Sequence, residues 1–229
     1  MRSLVLWDID GTLLRGSQAA TAAFNLALRE TYQLGVEPAR IDYGGKTDSQ
    51  IALEVLALHA VDEPAALDRL SHFHERYIHL MRHAYDELSA SVRTLPGVHA
   101  VLEALAAHGA VQSLVTGNLR DTAEIKLRAA GLDGMLDADA GAFGSDHRDR
   151  DELVPLARSR ATRLHGPLGQ VVVVGDTPRD IACGKAGGAR TVAVATGSWK
   201  VDELERHEPD VVLPDLANVD RAVAAILGP

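Results

Sequence analysis

Three short apolar runs along the chain share one ending: LVLW before Asp8, AVQSLV before Thr116 and VVVV before Gly175. Each is rich in β-branched or other apolar residues and stops at a polar or glycine-containing turn, as parallel strands buried on both faces do. TVAVAT (191–196) and MLDADA (135–140) are further strand candidates, and DVVL (210–213) is a candidate edge strand. Between the runs lie stretches of helical period, HAVLEALAAHG, LRDTAEIKLRAAG, DELVPLARSRATRL and RDIACGKAGG. The first two stop at Gly109 and Gly131, glycines of the kind that close a helix in left-handed backbone. Strand alternating with helix predicts an α/β fold with a Rossmann-like, mainly parallel sheet at its core.

Residues 16–92 break the alternation. AATAAFNLALRETYQLG, TDSQIALEVLALHAV and AALDRLSHFHERYIHLMRHAYDEL read as successive amphipathic helices with no strand among them. That is too much chain for one crossover connection, so it predicts a separate helical subdomain inserted after the first strand. The expected division is core at 1–15, helical insert at 16–92 and core again at 93–229, with Pro96 and Gly97 marking re-entry. Gly44 and Gly45 signal a loop between the first two helices of the insert.

A chain of 229 residues, 46% apolar, is long enough for one large core or for a core carrying a smaller insertion. The net charge of -9 and the absence of a basic run argue against a nucleic-acid partner. Small phosphorylated metabolites stay compatible with that charge, because a local cation overrides a negative total. Cys183 is the only cysteine, which rules out an internal disulfide and a thiolate metal cage. With no signal-peptide pattern at its start and no apolar run of membrane-spanning length, the expectation is a soluble cytoplasmic protein without a membrane partner.

In an open parallel sheet, ligands bind beyond the carboxyl ends of the strands. That rule gathers Asp8, Asp10, Gly11 and Thr12, then Thr116, Gly117 and Asn118, then Gly175, Asp176, Thr177, Pro178 and Asp180 on one edge. Carboxylates at the end of an apolar strand are costly to keep charged unless a cation or donors meet them. Hard oxygen ligands without His or Cys suit Mg²⁺. Alternation along an extended strand end points Asp8 and Asp10 the same way, so one is available as nucleophile and the other to exchange a proton. Pro178 fits the first helical position after a Thr177 N-cap, which sets Asp180 in the first turn.

DIDGT (8–12), VTGN (115–118) and GDTPRD (175–180), in that order, resemble the motifs of the haloacid dehalogenase superfamily. The helical insert after the first motif resembles that superfamily's C1-type cap, and the pattern as a whole is similar to the phosphoglycolate phosphatase-like group. The resemblance implies that Asp8 attacks phosphorus to form an aspartyl-phosphate, while Asp10 protonates the departing oxygen and then activates water. It implies Mg²⁺ held by the Asp8 carboxylate, the Asp10 backbone carbonyl and Asp176, with Asp180 behind them. It implies that Thr116 and neighbouring N–H groups of Gly117 and Asn118 hold phosphoryl oxygens. The family's basic residue, often Lys followed by Pro, falls in FGSDHRDRDELVPLA, where Arg148 and Arg150 are both present. Arg150 has the better spacing to the apolar helix face at Leu153, Leu156 and Ala157.

In GGKTD (44–48), Thr47 reads as a helix N-cap, and the resemblance implies a loop over the phosphate pocket in which Lys46 meets the substrate's non-reacting end. His72, His74, His79 and His83 read as a solvated helix face, Cys183 as packed, and Trp7 as core. The expected function is a Mg²⁺-dependent phosphatase acting on a small phosphomonoester. The alternatives are a phosphomutase resembling β-phosphoglucomutase, in which a sugar hydroxyl takes the phosphoryl group, and a non-catalytic phosphate-sensing or partner-binding module. A dehalogenase or a Schiff-base phosphonate hydrolase fits less well, since those branches lack the second acid that Asp10 supplies.

Overall fold

A computed structural model describes residues 1–228. The core strands are β1 (Leu4–Trp7), β4 (Val111–Thr116), β5 (Ala142–Phe143), β6 (Val171–Gly175), β7 (Arg190–Val194) and β8 (Val211–Leu213). They form one parallel sheet in the order β5-β4-β1-β6-β7-β8. The strands that read as apolar runs lie in the middle, where helices cover both faces, and every residue of β1, β4 and β6 is buried, Gln112 and Ser113 of β4 included. DVVL supplies the edge strand β8.

The flanking helices are α6 (Val98–Ala107), α7 (Arg120–Ala129), α8 (Leu153–His165), α9 (Pro178–Ala186), α10 (Val201–Glu205) and α11 (Val219–Leu227). Gly109 and Gly131 stand just past α6 and α7 at φ of 76° and 71°, the left-handed backbone that glycine adopts without a steric cost. MLDADA is not a strand. The Asp137 side chain accepts the N–H groups of Asp139 and Ala140 at 3.0 and 3.3 Å, which closes a turn that an extended chain could not make.

The helices of the insert are α1 (Gln18–Tyr32), α2 (Asp48–Leu58), α3 (Glu63–Asp68), α4 (Leu70–His83) and α5 (Tyr85–Ser91). The third helical stretch of the sequence is therefore three helices. Its first break falls at Arg69, whose guanidinium donates to the Thr31 carbonyl of α1 at 3.1 Å. Phe73, Tyr77 and Met81, four residues apart on α4, are buried, and the Phe24 ring of α1 meets Phe73 and Tyr77 edge-on at 5.1 and 5.2 Å. A two-stranded antiparallel ribbon, β2 (Leu14–Arg15) with β3 (Arg93–Thr94), joins the two ends of the insert. The helices thus leave and re-enter the core at one place, close to the loop that carries Asp8 and Asp10. Among the described residues no helix is long and apolar enough to cross a membrane.

Candidate active site

Trp7 pairs with Leu114 on one side and Val174 on the other, so β1, β4 and β6 end at nearly one level. The residues at the ends of β1 and β4 form the floor of a cavity of about 250 Å³, lined by Asp8, Asp10, Thr116, Gly117, Asn118, Lys126 and Arg150 from the core and by residues of the insert, while Asp176 and Thr177 after β6 line an adjoining pocket with Asp10 and Gly11. Gly11 turns the chain at φ 89°, and a Cβ there would stand 2.4 Å from an Asp176 carboxylate oxygen. Only glycine lets the two loops approach this closely.

Asp8, Asp176 and Asp180 are buried together, with carboxylate oxygens within 4.8 Å of one another. Arg150 is the cation among them: its guanidinium donates to Asp8 Oδ1 at 2.9 Å, to Asp180 Oδ1, and to the Gly45 carbonyl of the insert at 3.2 Å. Asp180 spends its other oxygen on the Thr177 N–H and hydroxyl at 3.0 and 2.6 Å, closing the capping box that starts α9. Thr12 donates to Asp176 Oδ1 at 3.0 Å. Asp8 Oδ2 and Asp176 Oδ2 have no donor among the described residues. Arg148 lies elsewhere, exposed and paired with Glu63 at 3.0 Å.

One guanidinium does not neutralise three buried carboxylates. Burial first, and then repulsion from Asp180, raise Asp8 to about 7 against the pull of Arg150. Burial and the charges of Asp180 and Asp8 raise Asp176 to about 8. Two oxygens without donors, on buried carboxyls that resist ionising, fit a hard divalent cation. Asp180, with both oxygens already engaged, fits the role of holding Arg150 and the loop.

Asp10 stands in different surroundings. Its carboxylate accepts Lys126 Nζ at 2.6 Å, Asn118 Nδ2 at 2.9 Å and the Ser17 hydroxyl at 2.8 Å. Burial pushes Asp10 upward, but Lys126 and these donors outweigh it and leave the group below its ordinary value. The bond from Asn118 to Asp10 ties the second motif loop to the first, and Asn118 Nδ2 also reaches Thr116 Oγ1 within its own loop at 2.8 Å.

The haloacid dehalogenase-like hydrolase family matches residues 5–194 of this sequence. The chain belongs to that family. A phosphoglycolate phosphatase of Rhodospirillum rubrum is 28% identical over 86% of this chain and 81% of its own. A pyrophosphatase, PpaX, of Halalkalibacterium halodurans is 27% identical over 94% of this chain and 95% of its own. A hydrolase from Pseudomonas syringae shares the fold, with a TM-score of 0.67 at 22% identity over 97% of this chain and 98% of that one.

In this member of the haloacid dehalogenase-like hydrolases the insert forms one wall of the cavity. The Asp48 N–H donates to the Gly117 carbonyl at 2.8 Å, and Asp48 Oδ2 accepts the Leu119 N–H at 2.9 Å. A Cβ on Gly117 would stand 2.0 Å from the Lys46 carbonyl, so this loop position has no room for a side chain. Lys46 lines the cavity, with its ammonium held by Glu54. Thr47 is the N-cap of α2. Of the histidines, His74 is half-buried and meets Ser49 at 3.0 Å, whereas His72 and His83 are exposed. Cys183 is buried, which pushes its thiol up to about 12.

Lys126 and Asp48 are site residues that the motifs do not announce. For Lys126 the sequence does hold a signal: it falls on the same helix stripe as Thr122, Ala123 and Leu127, all buried, where a lysine is out of place.

Proposed function

We infer that this phosphatase hydrolyses a small phosphomonoester metabolite through a phosphoryl group carried on Asp8, with Mg²⁺ as cofactor. The observation that carries the reading is the pair of donor-free oxygens on Asp8 and Asp176, buried together at the strand ends beside a small cavity that Asp8 and Asp10 both line. The relatives named as phosphoglycolate phosphatase and pyrophosphatase support small phosphorylated substrates.

Mg²⁺ held by the Asp8 and Asp176 carboxylates and the Asp10 backbone carbonyl would supply the charge that keeps both carboxylates ionised and offsets that of the phosphoryl oxygens. Asp8 attacks phosphorus, and the bond to the leaving oxygen breaks as Asp10 delivers a proton to it. Substrate charge beside Asp10 favours its protonated form, against the pull of Lys126. Water then attacks phosphorus while Asp10 takes its proton, which frees inorganic phosphate and restores Asp8. Arg150 holds Asp8 in line and, with the Thr116 hydroxyl and the N–H groups of Gly117 and Asn118, offers donors to the phosphoryl oxygens. Asp180 fixes Arg150. Lys46 reaches the insert's edge of the cavity with its ammonium on Glu54. The insert acts as a cap that excludes water and bulky phosphoproteins.

The test is inorganic phosphate release from a panel of small phosphomonoesters, with and without Mg²⁺. Metal-dependent release is the expected result. Isomerisation of a sugar phosphate without release, once a bisphosphate primer is added, would replace hydrolysis with the mutase reaction.

A further inference from the structure

The proposed chemistry uses Asp8, Asp10, Arg150 and the loop donors, yet the cavity holds another cation that it leaves without a task. Lys126 is 5% exposed, reaches the cavity from α7, and has an ammonium desolvated by its surroundings. Burying such a charge is expensive, and its partners must repay the loss of water. An ammonium has three donors. Two are accounted for, on Asp10 Oδ2 at 2.6 Å and Asn118 Oδ1 at 2.7 Å.

The position decides which part of a substrate the ammonium meets. The transferring phosphoryl group belongs beside Asp8, where Arg150 and the donor-free oxygens lie, and Lys126 is bonded to none of these. It is bonded to Asp10, the group that faces the departing oxygen. Around this side stand Phe24, Tyr43, Ile51 and Tyr77 of the insert. Such walls leave room for a short leaving group, and of the other cations Arg150 is held by Asp8 and Asp180 while Lys46 stands on Glu54 of the insert; only Lys126 is bonded to Asp10.

We propose that Lys126 is a specificity-determining residue that binds a negatively charged group on the leaving side of the substrate, a carboxylate or a second phosphate within a few atoms of the scissile oxygen. This rests on the phosphatase reading only for which side the leaving group occupies. An ammonium that merely neutralised Asp10 and Asp48 would matter equally for every phosphate ester. One that reads the leaving group matters most for the charged ones.

The experiment is calorimetric titration of the Asp8→Asn chain at fixed free Mg²⁺ with three probes: 2-phosphoglycolate, pyrophosphate and ethyl phosphate. At least one charged-leaving-group probe is expected to bind about tenfold or more tightly than ethyl phosphate, the worth of one charge-assisted contact. Whether it is phosphoglycolate or pyrophosphate identifies the group as carboxylate or phosphate. Adding Lys126→Met is expected to erase the preference and Lys126→Arg to keep part of it, with circular dichroism confirming that each variant is folded. No preference in the Asp8→Asn chain, a preference that survives Lys126→Met, or an equal loss for all three probes overturns the proposal. A Lys126-dependent preference in a protein whose native form releases no phosphate upholds the proposal and overturns hydrolysis instead.

Discussion

Asp8 and Asp10 are two residues apart, and the structure gives them opposite surroundings. Asp8 is buried beside Asp180 and Asp176 with Arg150 as the one cation among them, and is raised to about 7. Asp10 meets Lys126, Asn118 and Ser17 and lies below its ordinary value. The first setting has too much negative charge and fits an added cation; the second already holds its own. The insert touches both sides in different ways: Ser17 bonds Asp10 directly, whereas Gly45 reaches Asp8 only through Arg150. One loop thus gives two like carboxyls opposite electrostatic surroundings, set by neighbours and not by residue type.

The largest break in that comparison is Asp8→Asn. It is expected to lower phosphate release about ten-thousandfold or more, with Asp10→Asn costing about a hundredfold to ten-thousandfold. Steady-state rates on the best ester of the panel measure both. Similar, slight losses in the two would remove the division of labour between them.

Arg150→Met comes next. It strips the one cation from the Asp8 side and leaves buried carboxylates uncompensated, which is expected to cost about 3–5 kcal/mol in urea unfolding of the metal-free chain. Arg150→Lys keeps the charge but loses the fork that reaches Asp8, Asp180 and the Gly45 carbonyl together, so an intermediate loss is expected.

The same crowding sets a pH dependence. Asp8 and Asp176 bind protons more tightly in the folded chain, at about 7 and about 8, than at their ordinary 3.8. The folded state therefore holds extra protons across that window. Their contribution to stability is full below the ordinary value and is lost as pH rises through the folded ones. Without metal, the melting temperature is expected to fall as pH rises through this range. Mg²⁺ at about a hundred times its Kd is expected to return roughly 2.7 kcal/mol at alkaline pH, and less at acid pH, where protons compete for the same oxygens. An equal metal effect at both ends would show that the Asp8 side is not the cation site.

How legible this contrast is in the sequence depends on the kind of element that carries each residue. Strands buried on both faces read as apolar runs, so the loops after β1, β4 and β6, and with them the Asp8 side, stand out as polar stops. Thr177, Pro178 and Asp180 announce their helix start by local chemistry alone. Lys126 belongs to no motif, lying eight residues past Asn118, and its one signal is a lysine on a helix stripe that is otherwise buried. Asp48 reads as an ordinary first-turn acid; its bond to Leu119 joins positions 71 apart in sequence. β2 and β3 are two residues each, too short for any period to show. MLDADA has strand composition, yet one Asp137 side chain bends it into a turn.

The smallest effect probes how firmly the insert is held against the Asp10 side. The Thr47 hydroxyl accepts the Gln50 N–H at 3.1 Å as the cap of α2 and donates to the Arg148 carbonyl of the core at 2.8 Å. Thr47→Val keeps the shape and removes both bonds. The loss of the cap is expected to cost about 1 kcal/mol, read as a shift of the urea midpoint with an unchanged slope. Thr47→Ser restores the hydroxyl and is expected to recover most of that stability. Because the bond to Arg148 also holds the Gly45 to Asp48 segment over the cavity, Thr47→Val is expected to raise KM for the ester more than it lowers kcat. A fall in kcat alone would mean that the insert's contact reaches the chemistry at Asp8 as well, and that the two sides are less independent than their surroundings make them.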